Sequence, residues 1–182
     1  MKQSAYQHRT AVDEARGRFE YDCSGFVTYA LRRTLPEVAA EVRAAAGRRP
    51  LAEDYFALVD SAHPRRADSH LRPIARVHDL RPGDLIAWLR PPDKASKDTG
   101  HLMVVLSAPT RSPDRPDELL IAVADSSKTP HAADSRAPGT TGLGRGTLGL
   151  IVDREGRPLR YRWRGGLSRN AVATAIALGR VE

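Results

Sequence analysis

The spacing of apolar residues changes near residue 74, and no other feature of the sequence constrains the fold as strongly. Upstream of that point, apolar residues recur at helical intervals in the segments 23–33, 37–46 and 51–62. Downstream, short apolar runs are separated by turn residues, which is typical of strands. Helical segments followed by strands predict an α+β fold, in which N-terminal helices pack on a mainly antiparallel sheet.

Turn residues divide the downstream part into predicted elements. The predicted strands are 74–77, 85–88, 101–106, 119–124, 148–152 and 159–163. The segment 128–146, rich in Gly, Thr, Ser and Pro, predicts a long loop beside the active site, and 168–178 predicts a short helix. Residues 1–20 predict a short helix or an arm. With 182 residues and no long linker, we expect one domain over residues 1–182.

The single cysteine of the chain, Cys23, lies where a helix is predicted to begin. Asp22 is a good N-cap residue, so Cys23 falls in the first helical turn. Unpaired backbone N–H groups and the positive end of the helix dipole stabilise a thiolate there. Gly25 would allow a substrate or another backbone to approach closely. A lone cysteine is often only a small buried apolar residue, but this position favours a nucleophile.

A cysteine nucleophile needs a base and a group that orients the base. Of six histidines, His101 opens a predicted apolar strand directly after Gly100. If Leu106 lies opposite Leu120 in an antiparallel hairpin, His101 lies opposite Asp125, within reach of a carboxylate. The alternatives are a surface histidine at a strand end and an aspartate that caps a turn.

Three motifs together resemble the NlpC-type cell-wall cysteine peptidases, a papain-like group related to the CHAP amidases. They are Asp22-Cys23-Ser24-Gly25-Phe26-Val27, then Leu80-Arg81-Pro82-Gly83-Asp84, then Gly100-His101-Leu102-Met103-Val104-Val105. The resemblance implies a papain-like fold with the nucleophile at a helix start. It implies Cys23 as nucleophile and His101 as general base. The third polar residue of the family falls at Asp125, where His, Asn or Gln is usual, with His131 as the other candidate.

The same resemblance suggests residues that contact the substrate. Family members place a tyrosine near the oxyanion, and Tyr6 is the candidate here, although it stands further upstream of the cysteine than usual. Asp22 and Ser24, on either side of Cys23, are the other candidates for substrate or oxyanion contacts. Asp84 is predicted to lie in a tight turn that sets the register of the following strand. Trp88 and Trp163 are predicted to belong to the core.

The resemblance implies a hydrolase, an endopeptidase or amidase that cleaves amide bonds in peptidoglycan stem peptides through an acyl-enzyme. An acyltransferase or thioesterase on the same scaffold is the first alternative, although the polar, arginine-rich insertions do not suggest an acyl channel. A catalytically inactive module that binds cell-wall polymers is the second. One cysteine excludes an internal disulfide and a multi-cysteine zinc site, and we expect neither a metal nor another cofactor.

The net charge of +7 suggests an anionic partner, either a peptidoglycan peptide or another anionic cell-wall polymer. Nucleic acid is not expected, because the arginines are dispersed and no aromatic-rich binding stretch is present. The basic segment 64–76 is predicted to be either a solvated loop or part of the lining of a substrate-binding groove. No apolar run reaches the roughly 18 residues of a membrane span, and the N-terminus has no hydrophobic signal core. The cell envelope is therefore expected if a leader was removed, and the cytoplasm otherwise.

Overall fold

A computed structural model of the chain describes residues 3–60, 69–91 and 98–182. The helices are α1 (Cys23–Thr34), α2 (Pro36–Ala46) and α3 (Ala52–Val59). The strands are β1 (Gln3–Ala5), β2 (Ala11–Asp13), β3 (Arg18–Glu20), β4 (Leu71–Ile74), β5 (Leu85–Leu89), β6 (Gly100–Val105), β7 (Thr110–Arg111), β8 (Glu118–Ser127), β9 (Gly142–Val152), β10 (Pro158–Arg162), β11 (Val172–Ala173) and β12 (Ile176–Val181). Short 3₁₀ turns occur at Val77–Asp79 and Gly165–Leu167. The helix predicted over 51–62 ends earlier, at Val59, because Asp60 is already extended. The predicted loop 64–76 lies partly outside the described residues, and its residues 71–74 form β4, so the strand predicted over 74–77 begins and ends earlier.

The main sheet has the strand order β11-β10-β9-β8-β6-β5-β12-β4, with β7 attached to β8. Every pairing described within it is antiparallel, including that of the C-terminal strand β12, which lies between β4 and β5. The three helices precede this sheet in the chain. The prediction of an α+β fold with a mainly antiparallel sheet is therefore confirmed.

Alternation along the strands divides the core into two layers. Leu85 and Ala87 pack with the helices, whereas Ile86 and Trp88 face the opposite side of β5. On that side the Trp88 ring stacks on Tyr161 of β10, with the ring centroids 4.2 Å apart. Because β10 and β5 are separated by three strands in the sheet order, this contact requires the sheet to curl around the second layer.

The predicted ends of α1 and α2 are confirmed. Asp22 caps α1, which carries Arg32 and Arg33 in its last turn. Pro36 occupies the first turn of α2, and Gly47 ends α2 in the left-handed conformation, with φ of 63°. None of the helices in the described ranges is long and apolar enough to span a membrane.

Two predictions of helix were wrong. Residues 3–20 form a small sheet in the order β1-β3-β2, with β1 and β3 parallel, rather than a helix or an arm. The segment 168–178 contains β11 and the start of β12. Strand β11 pairs with β10, and β12 pairs with β4 and β5. The alanines of this segment favour a helix, but sheet pairing decides the outcome. The predicted loop 128–146 ends earlier, since β9 begins at Gly142.

The register between β6 and β8 was also predicted incorrectly, by two residues. Val105 pairs with Val123 rather than with Ile121. The reason is β7, which occupies the positions opposite Leu119 and Leu120. A shift of two residues returns each side chain to the same face of the sheet, so the face predicted for His101 was retained.

Candidate active site

Cys23 lies in the first turn of α1, as predicted, and Asp22 fixes this helix start. The Asp22 carboxylate accepts hydrogen bonds from the Gly25 backbone N–H at 2.8 Å and the Ser24 hydroxyl at 3.1 Å. The Arg49 guanidinium binds both Asp22 oxygens, at 3.0 and 2.9 Å. Burial alone would raise the pKa of Asp22, but these partners, Arg49 above all, lower it. The carboxylate is therefore a fixed negative charge beneath the helix start.

Asp22 and Ser24 are buried and bonded to each other. Every hydrogen bond given above for Asp22 is made with another residue of this chain. These bonds explain why Asp22 and Ser24 stand on either side of Cys23 without any contact with a substrate. Their predicted contact with substrate stays a prediction.

His101 and Asp125 come together, as the sequence predicted, although diagonally rather than directly opposite. Nε2 of His101 lies 2.7 Å from Oδ2 of Asp125, and the two side chains are 13% and 0% exposed. Diagonal neighbours in a sheet remain within reach of long side chains. His101 also has a hydrogen bond with Cys23, and because Asp125 occupies Nε2, Nδ1 is the ring nitrogen left for the thiol.

The electrostatics of the histidine reflect both neighbours. Burial alone would lower the pKa of His101, but the negative charge of Cys23 and the hydrogen bonds to Asp125 and Cys23 raise it to about 10. The ring is therefore protonated at neutral pH when it faces a thiolate. A thiolate and an imidazolium in contact form a nucleophile beside a proton donor.

Asp125 has two further partners that the sequence did not suggest together. Nε2 of His131 lies 3.1 Å from the same Oδ2, and Nη2 of Arg136 donates to Oδ1 at 2.9 Å. Arg136 also binds both oxygens of Asp134, at 2.8 Å. Burial would raise the pKa of Asp125, but the hydrogen bonds from His101 and His131 hold it well below its usual range. We refer to Asp125, His131, Asp134 and Arg136 as the Asp125 cluster.

Strand β8 positions both halves of the site. Asp125 reaches His101, and the next residue, Ser126, donates a 2.6 Å hydrogen bond to the backbone carbonyl of Tyr21. Tyr21 immediately precedes the N-cap of α1. Adjacent strand residues point to opposite faces of the sheet. One strand can therefore hold His101 on one face and the residues that precede Cys23 on the other.

Tyr6 is brought to the site by the small N-terminal sheet. Strand β1 runs parallel to β3, which leads into α1, and the Tyr21 N–H donates to the Ala5 carbonyl at 3.2 Å. Burial and then the charge of Cys23 raise the pKa of the Tyr6 hydroxyl well above its usual range. The hydroxyl therefore stays protonated at neutral pH, and its role near the oxyanion stays a prediction.

An aromatic wall borders the histidines. The Trp163 ring stacks on His131, with centroids 4.1 Å apart, and meets His101 edge-on at 5.0 Å. Trp88 is core, as predicted, whereas Trp163 is only partly buried. A cavity of about 180 Å³ opens beside His101, bordered by both tryptophans and Tyr161.

Sequence reasoning missed Asp134 and Arg136. The signal that could have found them is Gly142-Leu143-Gly144-Arg145-Gly146 in β9, where the glycines fall on one face. A Cβ at Gly144 would collide with the Arg136 side chain, and one at Gly146 would lie 2.5 Å from the Cβ of His131. The glycine face of β9 therefore makes room for the loop that carries His131, Asp134 and Arg136.

In the part of the chain that the structure describes, no group of three or more His, Cys, Asp or Glu side chains is arranged to hold a metal ion. The site has instead a thiol, an imidazole and a buried carboxylate in series. A scan against protein-family models and searches of curated proteins and solved structures gave no significant match to this chain.

Proposed function

We propose that the chain is a cysteine hydrolase, an endopeptidase or amidase that cleaves amide bonds through an acyl-enzyme. The observation that carries the proposal is the contact series from Cys23 at the start of α1, through His101, to Asp125 at 2.7 Å. A structural histidine would not require a thiol on one ring nitrogen and a fully buried carboxylate on the other. The arrangement has the parts of a nucleophile, an acid–base group and an orienting residue.

In the first half of the reaction, the Cys23 thiolate attacks the amide carbonyl and forms a C–S bond. Backbone N–H groups at the start of α1, including that of Cys23, face the oxyanion, and the Tyr6 hydroxyl is protonated and able to donate. His101 then gives its proton to the leaving nitrogen, and the C–N bond breaks. The free amine leaves, and the acyl group stays on the sulfur.

In the second half, water attacks the thioester carbonyl. His101, now neutral, accepts a proton from that water, and the C–S bond breaks to release the carboxylic acid. Asp125 holds the imidazole through Nε2, so that Nδ1 faces the reacting atoms in both halves. The thiolate and the imidazolium are restored, and the balance is one amide plus one water giving one amine and one acid.

For the substrate class we propose a peptidoglycan stem peptide, on the resemblance of the three motifs to the NlpC-type peptidases and on the charge of the surface. A groove of about 890 Å³ lies between β2 and the helices α1 and α2. Arg32, Arg33 and Arg43 line it, with Glu14 as the acidic residue among its lining. A concentration of arginines suits an anionic polymer, since guanidinium groups bind carboxylates and phosphates in bidentate fashion.

The test is incubation with purified muropeptides, with products identified by mass spectrometry. The wild-type chain is expected to yield two fragments whose masses sum to substrate plus one water. Cys23→Ala and His101→Gln are expected to yield none, and His78→Gln, a change at an exposed histidine, is the matched control and should cleave like the wild type.

Identical products from the wild type and Cys23→Ala would contradict the proposal. So would the absence of products together with a thiol that is inert to iodoacetamide near neutral pH. In that second case, binding of both proteins to cell-wall polymer would indicate an inactive binding module.

A further inference from the structure

A second cavity, of about 370 Å³, lies beside the Asp125 cluster. The loop 128–140 supplies most of its lining, and Arg164 completes it. Trp163 borders the cavity beside His101, and its Nε1 donates a 3.0 Å hydrogen bond to the carbonyl oxygen of Pro130, which lines the second cavity. The two cavities are therefore neighbours, and the Trp163 side chain lies between them.

Both ends of the loop that lines the second cavity lie at Tyr6. At one end, Nζ of Lys128 lies over the Tyr6 ring, 5.1 Å from its centroid. At the other end, the backbone N–H of Tyr6 donates to Oγ1 of Thr141 at 3.1 Å. Because Tyr6 and Trp163 both border the candidate active site, the second cavity adjoins that site along these two residues.

The protein itself holds the loop in place. Nη1 of Arg136 donates to the backbone carbonyl oxygens of Ser127 and Gly142, at 3.3 and 3.0 Å, just outside the two ends of the loop. Within the loop, Asp134 accepts the backbone N–H of His131 at 2.7 Å. The walls of the second cavity are therefore set before a ligand arrives, which lowers the cost of binding.

The lining of the second cavity has an excess of positive charge. Arg136 and Asp134 both line it, but Arg136 binds both oxygens of Asp134, so their charges compensate each other. Lys128 and Arg164 are exposed, and within residues 3–60, 69–91 and 98–182 neither forms an ion pair with a carboxylate. An ammonium and a guanidinium on one cavity are suited to the two oxygens of a carboxylate.

We propose that the second cavity is a subsite that binds a carboxylate group of the substrate between Lys128 and Arg164. The proposal rests on the peptide hydrolase proposed above, because the ligand is a carboxylate of that peptide, apart from the amide that Cys23 attacks. The contact is the same before and during the reaction. Lys128 and Arg164 therefore determine specificity through KM and leave kcat nearly unchanged.

Binding at the second cavity is tested without catalysis, by NMR of ¹⁵N-labelled Cys23→Ala protein. The probes are N-acetylalanine, which has one carboxylate, and its neutral amide, at equal ionic strength. N-acetylalanine is expected to shift the backbone signals of Ala133 and Gly139 in a saturable way, and the amide to bind about tenfold more weakly or not at all.

The variants locate the charge that binds the probe. Adding Lys128→Gln and Arg164→Gln together should abolish the preference for the acid, and the other signals of the spectrum report that the variant is folded. Arg111→Gln, a change at an exposed arginine of β7 outside the lining, is the matched control and should keep the preference. Equal shifts with the acid and the amide, or none with either, would overturn the subsite.

The specificity is tested with muropeptides in which one carboxylate at a time is amidated. In the wild type, one of these amidations is expected to raise KM about tenfold with kcat nearly unchanged. In the variant that carries both Lys128→Gln and Arg164→Gln, the same amidation should change KM by less than about twofold, because its partners are already absent.

The two proposals fail in different ways. If each amidation has the same effect on the wild type and on the double variant, the subsite is wrong and the hydrolase stands. If the wild type cleaves no muropeptide, the hydrolase proposal fails, and the NMR titration still decides whether the second cavity binds a carboxylate.

Discussion

Replacing Asp125 with asparagine removes the charge that three hydrogen-bond donors share while keeping the size of the side chain. In the native protein, Oδ2 binds His101 and His131 and Oδ1 binds Arg136. An asparagine presents an amide N–H₂ to one side of this arrangement, where it meets N–H donors instead of offering lone pairs. The change therefore breaks hydrogen bonds to these donors and removes one of the two carboxylates that bind the buried Arg136 guanidinium.

The burial of Asp125 sets the size of the effect. Removing one partner of a fully buried ion pair costs about 3–5 kcal/mol, because the remaining charge cannot reach water. The Asp125 side chain is 0% exposed, and its partners Arg136 and His131 are 3% and 0% exposed. We therefore expect Asp125→Asn to lower the free energy of unfolding by about 3–5 kcal/mol.

Asp84→Asn is the matched control. Asp84 is also a buried aspartate in a bidentate contact with an arginine, Arg180, at 3.0 and 2.9 Å. The Arg180 side chain is 27% exposed and can turn its charge to water, so this control should cost only about 1–3 kcal/mol. Urea unfolding followed by tryptophan fluorescence measures both variants, since Trp88 and Trp163 lie at the site.

The pH dependence distinguishes the charge from mere packing. Although burial opposes it, hydrogen bonding from His101 and His131 keeps the pKa of Asp125 below its unfolded value of 3.8. The stability from this carboxylate is thus present above about pH 4 and lost as the pH falls further. The gap between wild type and Asp125→Asn should narrow below pH 4. The reasoning would be refuted if Asp125→Asn lowered the free energy of unfolding no more than Asp84→Asn does, or if the loss were the same in acid as at neutral pH.

Three further outcomes are expected. Although burial opposes it, the charge of Cys23 helps to raise the pKa of His101 to about 10. The protonated ring therefore contributes fully to the free energy of unfolding below pH 6.5, and this contribution declines toward pH 10. In urea titrations, the free energy of unfolding of Cys23→Ala should decline less steeply over this range than that of the wild type. Gly100→Ala would place a Cβ against the Trp88 carbonyl and displace His101, so muropeptide cleavage should be lost, with a lower unfolding midpoint. Arg32→Glu should weaken salt-sensitive binding to insoluble cell-wall polymer in pull-down assays and raise the KM for muropeptide cleavage, because Arg32 lines the arginine-bearing groove.

The helices around Cys23 could be predicted because local signals agree there. Asp22, Pro36 and Gly47 are each the residue type that a helix boundary requires, and each stands at a boundary in the structure. Cys23 could be placed at a helix start for the same reason. Neighbouring residues decide such features, so no knowledge of the tertiary structure is needed.

The pairing of His101 with Asp125 could be predicted even though the register was wrong. A two-residue error preserves the face of every side chain, and the length of both side chains bridges the diagonal. The register itself could not be predicted, since β7 is only Thr110–Arg111 and gives almost no pattern. The short strands of residues 3–20 escaped prediction for the same reason.

The Asp125 cluster could not be assembled from sequence because its loop lacks periodicity. Ala133 adopts a left-handed backbone conformation, with φ of 49°, which no propensity would assign to alanine. Contacts that are distant in sequence hold this loop, including the stacking of His131 on Trp163 and its packing on the glycine face of β9. The three-dimensional arrangement therefore determines which of its polar residues meet Asp125.

Alkylation of the single thiol tests the central claim, that Cys23 is a nucleophile activated by His101. Because the chain has one cysteine, the mass added by iodoacetamide reports Cys23 alone. At pH 6 the wild-type protein should be labelled about tenfold faster than His101→Gln, which keeps a side chain of similar length but loses the imidazolium. Equal rates in the two folded proteins would contradict the account, because the histidine would then have no influence on the thiolate.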